Sequence, residues 1–474
     1  LCFAKPINVY EYIKGHRKLF EKIPLLTKET KRNMLIKYFR YRLTNHFMRE
    51  IYNNAYINFD HIFAGILDKS DRKSITKWQL KNLIYVIVCE ISKNNVHPLH
   101  DSITNQLNKI VFSDQNDYFD SVVNLALSQG LINYKDDAYY LNHEVIDRDV
   151  SFHKLRISNT LRILMNELSR FEDITKIFAK NCNLSPNHIS DKAFEMLCKS
   201  DQKTYFVDYE KFFDNEYSKD REIGKPYYLA GSKDIGIILS HGYKAAPEEM
   251  RSLSKHLNNQ GYHVYVCRLK GHGTGPKNLK HTDWEEWYES YCKGYLILKQ
   301  KCSKIVAAGF STGGLLALKL ASEKGTRISA IISINSALRL NDIKVNFVPT
   351  IHFWNELLDK FNAEKGKKEY IIDTPENPDI NYSKNYLKGV YELSHLMEEC
   401  KNSLKKIVSP ILIIQGKADP VVNPKSGKLI YDKIKSEKKE LLMLDFDKHV
   451  IITHKRKEMV FNHITKYLEQ IFGN

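Results

Sequence analysis

From about Asn8 to Lys199, apolar residues recur at three- and four-residue spacings, as in Leu161, Leu164, Met165 and Leu168, and Gly and Pro are few. That period predicts amphipathic helices throughout this stretch. An exception falls at Leu131 to Leu141, where two short β-prone runs flank Lys135-Asp136-Asp137 after a helix predicted at Tyr118 to Gln129. This is the outline of a helix followed by a small wing. Residues 201–226 are dense in charge and aromatics without a clear period and read as a linker, or as the peripheral edge of the next domain. Beyond them come nearly continuous apolar runs at 236–240, 263–268, 304–308, 328–333, 411–415 and 440–444. Strands of this kind are buried on both faces. They alternate with helical stretches near 247–260, 282–301 and 312–324, and such alternation specifies an α/β architecture, a mostly parallel sheet with helices on both faces. The expected domains are therefore a mainly helical region, 1–200, and an α/β domain, 227–474.

Composition narrows the classes of function. At 474 residues, with 43% hydrophobic and 27% charged residues, the chain has globular usage and room for more than one core. Its formal charge of +16 is uneven: residues 1–50 hold 12 basic and 4 acidic side chains, residues 101–150 hold 3 and 9. The wing therefore sits in an acidic stretch, the wrong sign for a phosphate-binding face, and no nucleic-acid partner is expected. The basic first segment is compatible with peripheral contact at the anionic inner face of a cytoplasmic membrane, although a Lys-, Asn- and Ile-rich drift in composition explains the charge equally well. Eight scattered cysteines without a CxxC pair argue against a metal site and for a reducing, cytoplasmic compartment. No cofactor is expected. The longest apolar runs are far short of the ~20 residues of a membrane-spanning helix. The chain opens on Leu1 without the layout of a secretion signal, as a piece of a longer polypeptide would.

The candidate chemistry begins at Gly309-Phe310-Ser311-Thr312-Gly313-Gly314, directly between a predicted strand and a predicted helix. A serine on so tight a turn needs small neighbours, because its backbone is strained and strand and helix pass close together. Serine at its ordinary pKa is a poor nucleophile, so an imidazole must take its proton and a carboxylate must orient the imidazole. Asp419 follows the strand 411–415, at the end where open α/β sheets bind ligands. His449 comes after the last strand and precedes the last helix. Ser311, Asp419 and His449 are thus the candidate triad. His454, His272, Asp445 and Asp447 compete less well on position. The oxyanion donors are expected to be the N–H groups of Thr312, after the nucleophile, and Tyr243, in the loop Ser240-His241-Gly242-Tyr243. His241 is expected to orient that loop, and His241 and Gly242 to lie against the substrate.

These parts, in this order, resemble the α/β-hydrolase family, in particular its serine carboxylesterase and monoacylglycerol-lipase branch. The resemblance covers residues ~227–472 through His241-Gly242, Gly271-His272-Gly273-Thr274, the Ser311 motif, Gly416-Lys-Ala-Asp419-Pro420 and His449-Val450-Ile451. It implies the α/β-hydrolase fold, an acyl-enzyme at Ser311 and hydrolysis of lipid-derived carboxylic esters or thioesters by water activated at His449. It also implies a cap insertion, placed at ~338–408. There Ile351, Trp354, Leu358 and Phe361 share a helical face beside Phe347. Phe347 and Trp354 are candidate substrate contacts under an apolar lid; the same stripe would equally serve to pack on the core.

The first half, from Phe3-Ala-Lys-Pro6-Ile7 to about Phe171, is diffusely similar to the carboxyl-terminal helical region of bacterial glycerol-3-phosphate acyltransferases. The family's His-x-x-x-x-Asp is missing here. The resemblance implies an acyltransferase core upstream of Leu1 and a bifunctional polypeptide of glycerolipid metabolism. The residues thus support three readings: a serine hydrolase of esters, an acyltransferase using the hydrolase fold with a lipid acceptor, and a non-catalytic binding module. The complete candidate triad disfavours the third.

Overall fold

The computed structural model describes residues 8–11, 14, 27–94, 97–104, 106–147, 159–341 and 369–473. The chain divides into two compact units, Leu1–Lys192 and Ala193–Asn474.

The first unit is helical, as its period predicts. Helices Phe59–Lys69, Lys77–Asn94, Asp117–Ser128 and Glu172–Cys182 turn their apolar faces onto one core that includes Ile62, Phe63, Leu83, Ile84, Phe119 and Phe178. The wing is present: strands β2 (Ile132–Lys135) and β3 (Ala138–Leu141) pair antiparallel, and β1 (Ser74–Thr76) adds to the other edge of β3. Asp136 and Asp137 form the hairpin tip at φ 51° and 59°, the left-handed pair of a type I′ turn, which Asp tolerates. β1 escapes a reading by pattern because three residues are too few to show alternation.

The second unit has the α/β-hydrolase fold. Seven strands are β4 (Tyr227–Leu229), β5 (Ile235–Ser240), β6 (His263–Cys267), β7 (Lys304–Phe310), β8 (Ala330–Ile334), β11 (Ile411–Gly416) and β12 (Lys439–Leu444), with a separate pair β9 (Tyr370–Ile372) and β10 (Lys384–Tyr386). The order is β12-β11-β8-β7-β5-β6-β4. Within this sheet every pairing is parallel except β4 with β6. β5, β8 and β11 are buried along their whole length, which is why they read as continuous apolar runs. Helices Trp284–Lys299 and Thr312–Lys324 cross between strands; the first opens on a capping box of Asp283 and Glu286.

Two expectations change. The stretch 201–226 is not a free linker: Asp201–Phe212 continues the helix Pro186–Phe212. There Asp201 accepts from the Tyr265 hydroxyl at 2.6 Å and pairs with Lys293, while Asp208 pairs with the buried Arg268 at 2.8 Å. Two of the charges that suggest a linker are taken by these partners, as at the peripheral edge of the α/β unit. Of the stretch 338–408, where a cap is expected, helix Leu387–Ser403 packs on helix Thr312–Lys324 as part of the fold's own layer, with Leu396 and Cys400 fully buried.

Candidate active site

Ser311 sits between β7 and the helix Thr312–Lys324 at φ 54°, ψ −113°. A non-glycine residue there is strained by of order 1–3 kcal/mol, and surrounding bonds hold it: its N–H donates to the Ile334 carbonyl at 2.9 Å. The turn closes only because Gly313 has no side chain; a Cβ there would strike the Ser240 carbonyl. The Ser311 side chain is thereby presented at the carboxyl edge of the sheet.

His449 and Asp419 reach the same edge. The Ser311 hydroxyl lies 3.0 Å from His449 Nε2, and His449 Nδ1 lies 2.8 Å from Asp419 Oδ2. A carboxylate only accepts, so Nδ1 carries the proton and Nε2 is left to accept from the serine. Asp419 is fixed in turn by the N–H groups of Val421 and Val422, which donate to Oδ1 at 2.8 and 2.9 Å. All three side chains are buried, with 6%, 2% and 8% exposure for Ser311, Asp419 and His449. That geometry suits transfer of the hydroxyl proton to imidazole as the oxygen attacks a carbonyl.

The loop after β5 is organised by its histidine. His241 Nδ1 donates to the Gly242 carbonyl at 2.9 Å, and the Leu269 N–H donates to Nε2 at 3.3 Å. Burial drives the ring's pKa down to about 4, so it is neutral. The Ala245 N–H also donates to the Gly242 carbonyl, at 3.2 Å. Carbonyl and N–H point oppositely across a trans peptide, so the Tyr243 N–H is turned to the other side. Neither the Tyr243 nor the Thr312 N–H has a hydrogen-bond partner among the described residues.

A cavity of about 320 Å³ opens beside Ser311 and His449, lined by Gly242, Tyr243, Phe310, Leu340, Val390 and Leu393 among others. His241 does not line this cavity, which corrects the expectation that it touches substrate: both ring nitrogens are taken by backbone behind the loop. Phe347 and Trp354 lie outside the described residues.

Four features escaped the sequence. Asn335, at φ 40° just after β8, donates to the His449 carbonyl and accepts from the Gly416 N–H, both at 2.8 Å, tying two loops of the site together. The Glu376 carboxylate accepts the N–H groups of His449 and Val450 at 3.1 Å each. Lys244 is clamped by both oxygens of Asp373 at 2.6 Å. Glu249 is fully buried, accepts the Gly242 N–H at 2.8 Å, and is pushed up to a pKa of about 7 by that burial. The positive φ of Asn335 and the buried carboxyls have no local signature in the sequence.

Comparison with known proteins agrees with this architecture. Residues 231–455 match the family model described as serine aminopeptidase, S33. A thermostable monoacylglycerol lipase of Bacillus sp. (strain H-257) is 30% identical over 249 residues, 52% of this chain and 96% of that protein. A carboxylesterase of Bacillus subtilis (strain 168) is 25% identical over 248 residues, 52% of this chain and 97% of its own length. A solved structure of metagenome-derived lipolytic enzymes aligns with a TM-score of 0.47 at 26% identity, covering 52% of this chain and 98% of the other. The 30% identity over nearly all of the Bacillus sp. lipase shows that the chain belongs, through its second unit, to the α/β-hydrolase family of lipases and esterases. Within that family it is a carboxylic ester hydrolase of the serine type.

Proposed function

We propose that the second unit cleaves lipid-derived carboxylic esters through an acyl-enzyme on Ser311. The observation that carries this is the continuous line Ser311 Oγ, His449 Nε2, His449 Nδ1, Asp419 Oδ2, at 3.0 and 2.8 Å, opening on an apolar-walled cavity. In this mechanism His449 takes the Ser311 proton as Oγ bonds to the ester carbon. The tetrahedral oxyanion is held by the Tyr243 and Thr312 N–H groups. His449 then returns the proton to the leaving alcohol, whose bond to the acyl carbon breaks. Water gives a proton to His449 as its oxygen bonds to the acyl carbon, and the bond from that carbon to Ser311 Oγ then breaks as His449 passes the proton to Oγ, which releases the acid. The lipid character of the acyl group is supported by Phe310, Leu340, Val390 and Leu393 on the cavity wall and by the relatives' names.

Ser311→Ala is expected to abolish labelling by a fluorophosphonate probe and to lower hydrolysis of p-nitrophenyl esters by at least about 10³-fold. Labelling that persists in the variant refutes the role of Ser311. Transfer to a lipid acceptor is the alternative fate of the acyl-enzyme, and product analysis with monoacylglycerol separates free fatty acid from diacyl lipid.

Peripheral contact with an anionic membrane belongs to the same reading. The helix Lys28–Asn53 carries seven basic and two acidic residues and exposes Met34, Ile36, Phe47, Met48 and Ile51. This is a combination suited to anionic headgroups. Among the described residues no helix is long and apolar enough to cross a membrane.

A further inference from the structure

The cavity beside Ser311 holds a carboxyl that the proposed triad does not use. Glu249 sits in the turn Pro247–Met250, is 1% exposed, and lines the cavity. Its Oε2 accepts the Gly242 N–H at 2.8 Å, and the carboxyl has no other hydrogen-bond partner among the described residues. Lys244, on the same wall, is taken by Asp373, and the neighbouring wall at Phe310, Val390 and Val450 is apolar. A nearly buried carboxyl whose second oxygen has no protein partner and faces the cavity is poorly solvated; a ligand group that donates to that oxygen restores the balance. Gly242 immediately precedes Tyr243, so the carboxyl is anchored on the loop that carries one of the proposed oxyanion donors.

We propose that Glu249 is a specificity subsite that reads a hydroxyl group on the substrate within a few bonds of the ester carbonyl. This rests on the Ser311 reading and deepens it. The hydroxyl has two possible sources, the alcohol part of the ester or the acyl part, and in both it donates to the Glu249 carboxyl.

The test is kcat/KM of the full chain on 1-octanoylglycerol, ethyl 3-hydroxyoctanoate and ethyl octanoate, for wild type, Glu249→Gln and Glu249→Ala. Wild type is expected to prefer at least one hydroxylated ester over ethyl octanoate by about tenfold, the upper end of the net worth of one hydrogen bond. Preference for the glycerol ester alone assigns the hydroxyl to the alcohol, and preference for the 3-hydroxy ester alone assigns it to the acyl chain. Glu249→Ala is expected to bring that ratio close to one whatever its absolute rate. Glu249→Gln, which still accepts the Gly242 N–H, is expected to retain part of it. A wild-type ratio near one, or a ratio unchanged in Glu249→Ala, overturns the proposal and leaves Glu249 as a support for the Gly242 loop. Failure of wild type to label with fluorophosphonate is a different result: it removes the Ser311 reading itself.

Discussion

At the scale of single residues, the site depends on groups held in states they would not adopt in water. Glu249 is the clearest case, since burial raises its pKa from 4.5 to about 7. An acid with a raised folded-state pKa binds its proton more tightly folded than unfolded. Folding stability therefore falls as pH rises from about 4.5 to about 7, the interval over which the unfolded chain has released the proton and the folded chain still holds it. Glu249→Gln removes this group's contribution and is expected to be stabilised relative to wild type at pH 8 but not at pH 4, as urea unfolding at the two pH values would reveal. His241 acts with the opposite sign. Its pKa is depressed from 6.5 to about 4, so the stability it contributes is complete above 6.5 and is lost as pH falls toward 4. Ser311 was legible because a strained turn needs its glycines at fixed spacing. Glu249, Asn335 and Glu376 were not, because each acts by a hydrogen bond to main chain whose position only the fold sets.

At the scale of elements, the helix Pro186–Phe212 shows how charge can mislead a reading by pattern. The charges of its second half lack a period, which suggests a linker or a peripheral edge, yet Asp201 and Asp208 are buried and pair with the half-buried Lys293 and the buried Arg268. Breaking such a pair leaves an uncompensated buried charge, at a cost of about 3–5 kcal/mol. Asp208→Asn is accordingly expected to lower the stability of the hydrolase unit by an amount of that order, measured by denaturant unfolding; a change under about 0.5 kcal/mol would mean that water or the oxygen of the new amide relieves Arg268. The strands behaved otherwise. Six apolar runs were readable within one or two residues because both faces of a central parallel strand are buried. β4 and β1 were not, being three-residue edge strands with partly exposed faces.

At the scale of the whole molecule, each unit has its own main hydrophobic core among the described residues, one drawn from residues between Ile57 and Ile189 and one from residues between Ile235 and Leu468. Separate cores favour separate cooperative transitions. Ile84→Ala, at a fully buried position of the first core, is expected to cost about 2–5 kcal/mol and to shift one calorimetric transition while ester hydrolysis persists; joint loss of both would show that the units unfold as one. For the basic helix Lys28–Asn53, co-sedimentation with vesicles containing phosphatidylglycerol but not with pure phosphatidylcholine is expected, weakening as salt rises. Sequence by itself determined the order of strands and helices, the α/β class and the short list Ser311, Asp419 and His449, because hydrophobic period and the steric demands of a tight turn are local properties that neighbouring residues write down. Tertiary structure alone decided that these three side chains lie within hydrogen-bond distance, that His241 faces backbone instead of cavity, and that Glu249 opens onto the cavity. Contacts between residues far apart in the chain are fixed by packing, which no local pattern encodes.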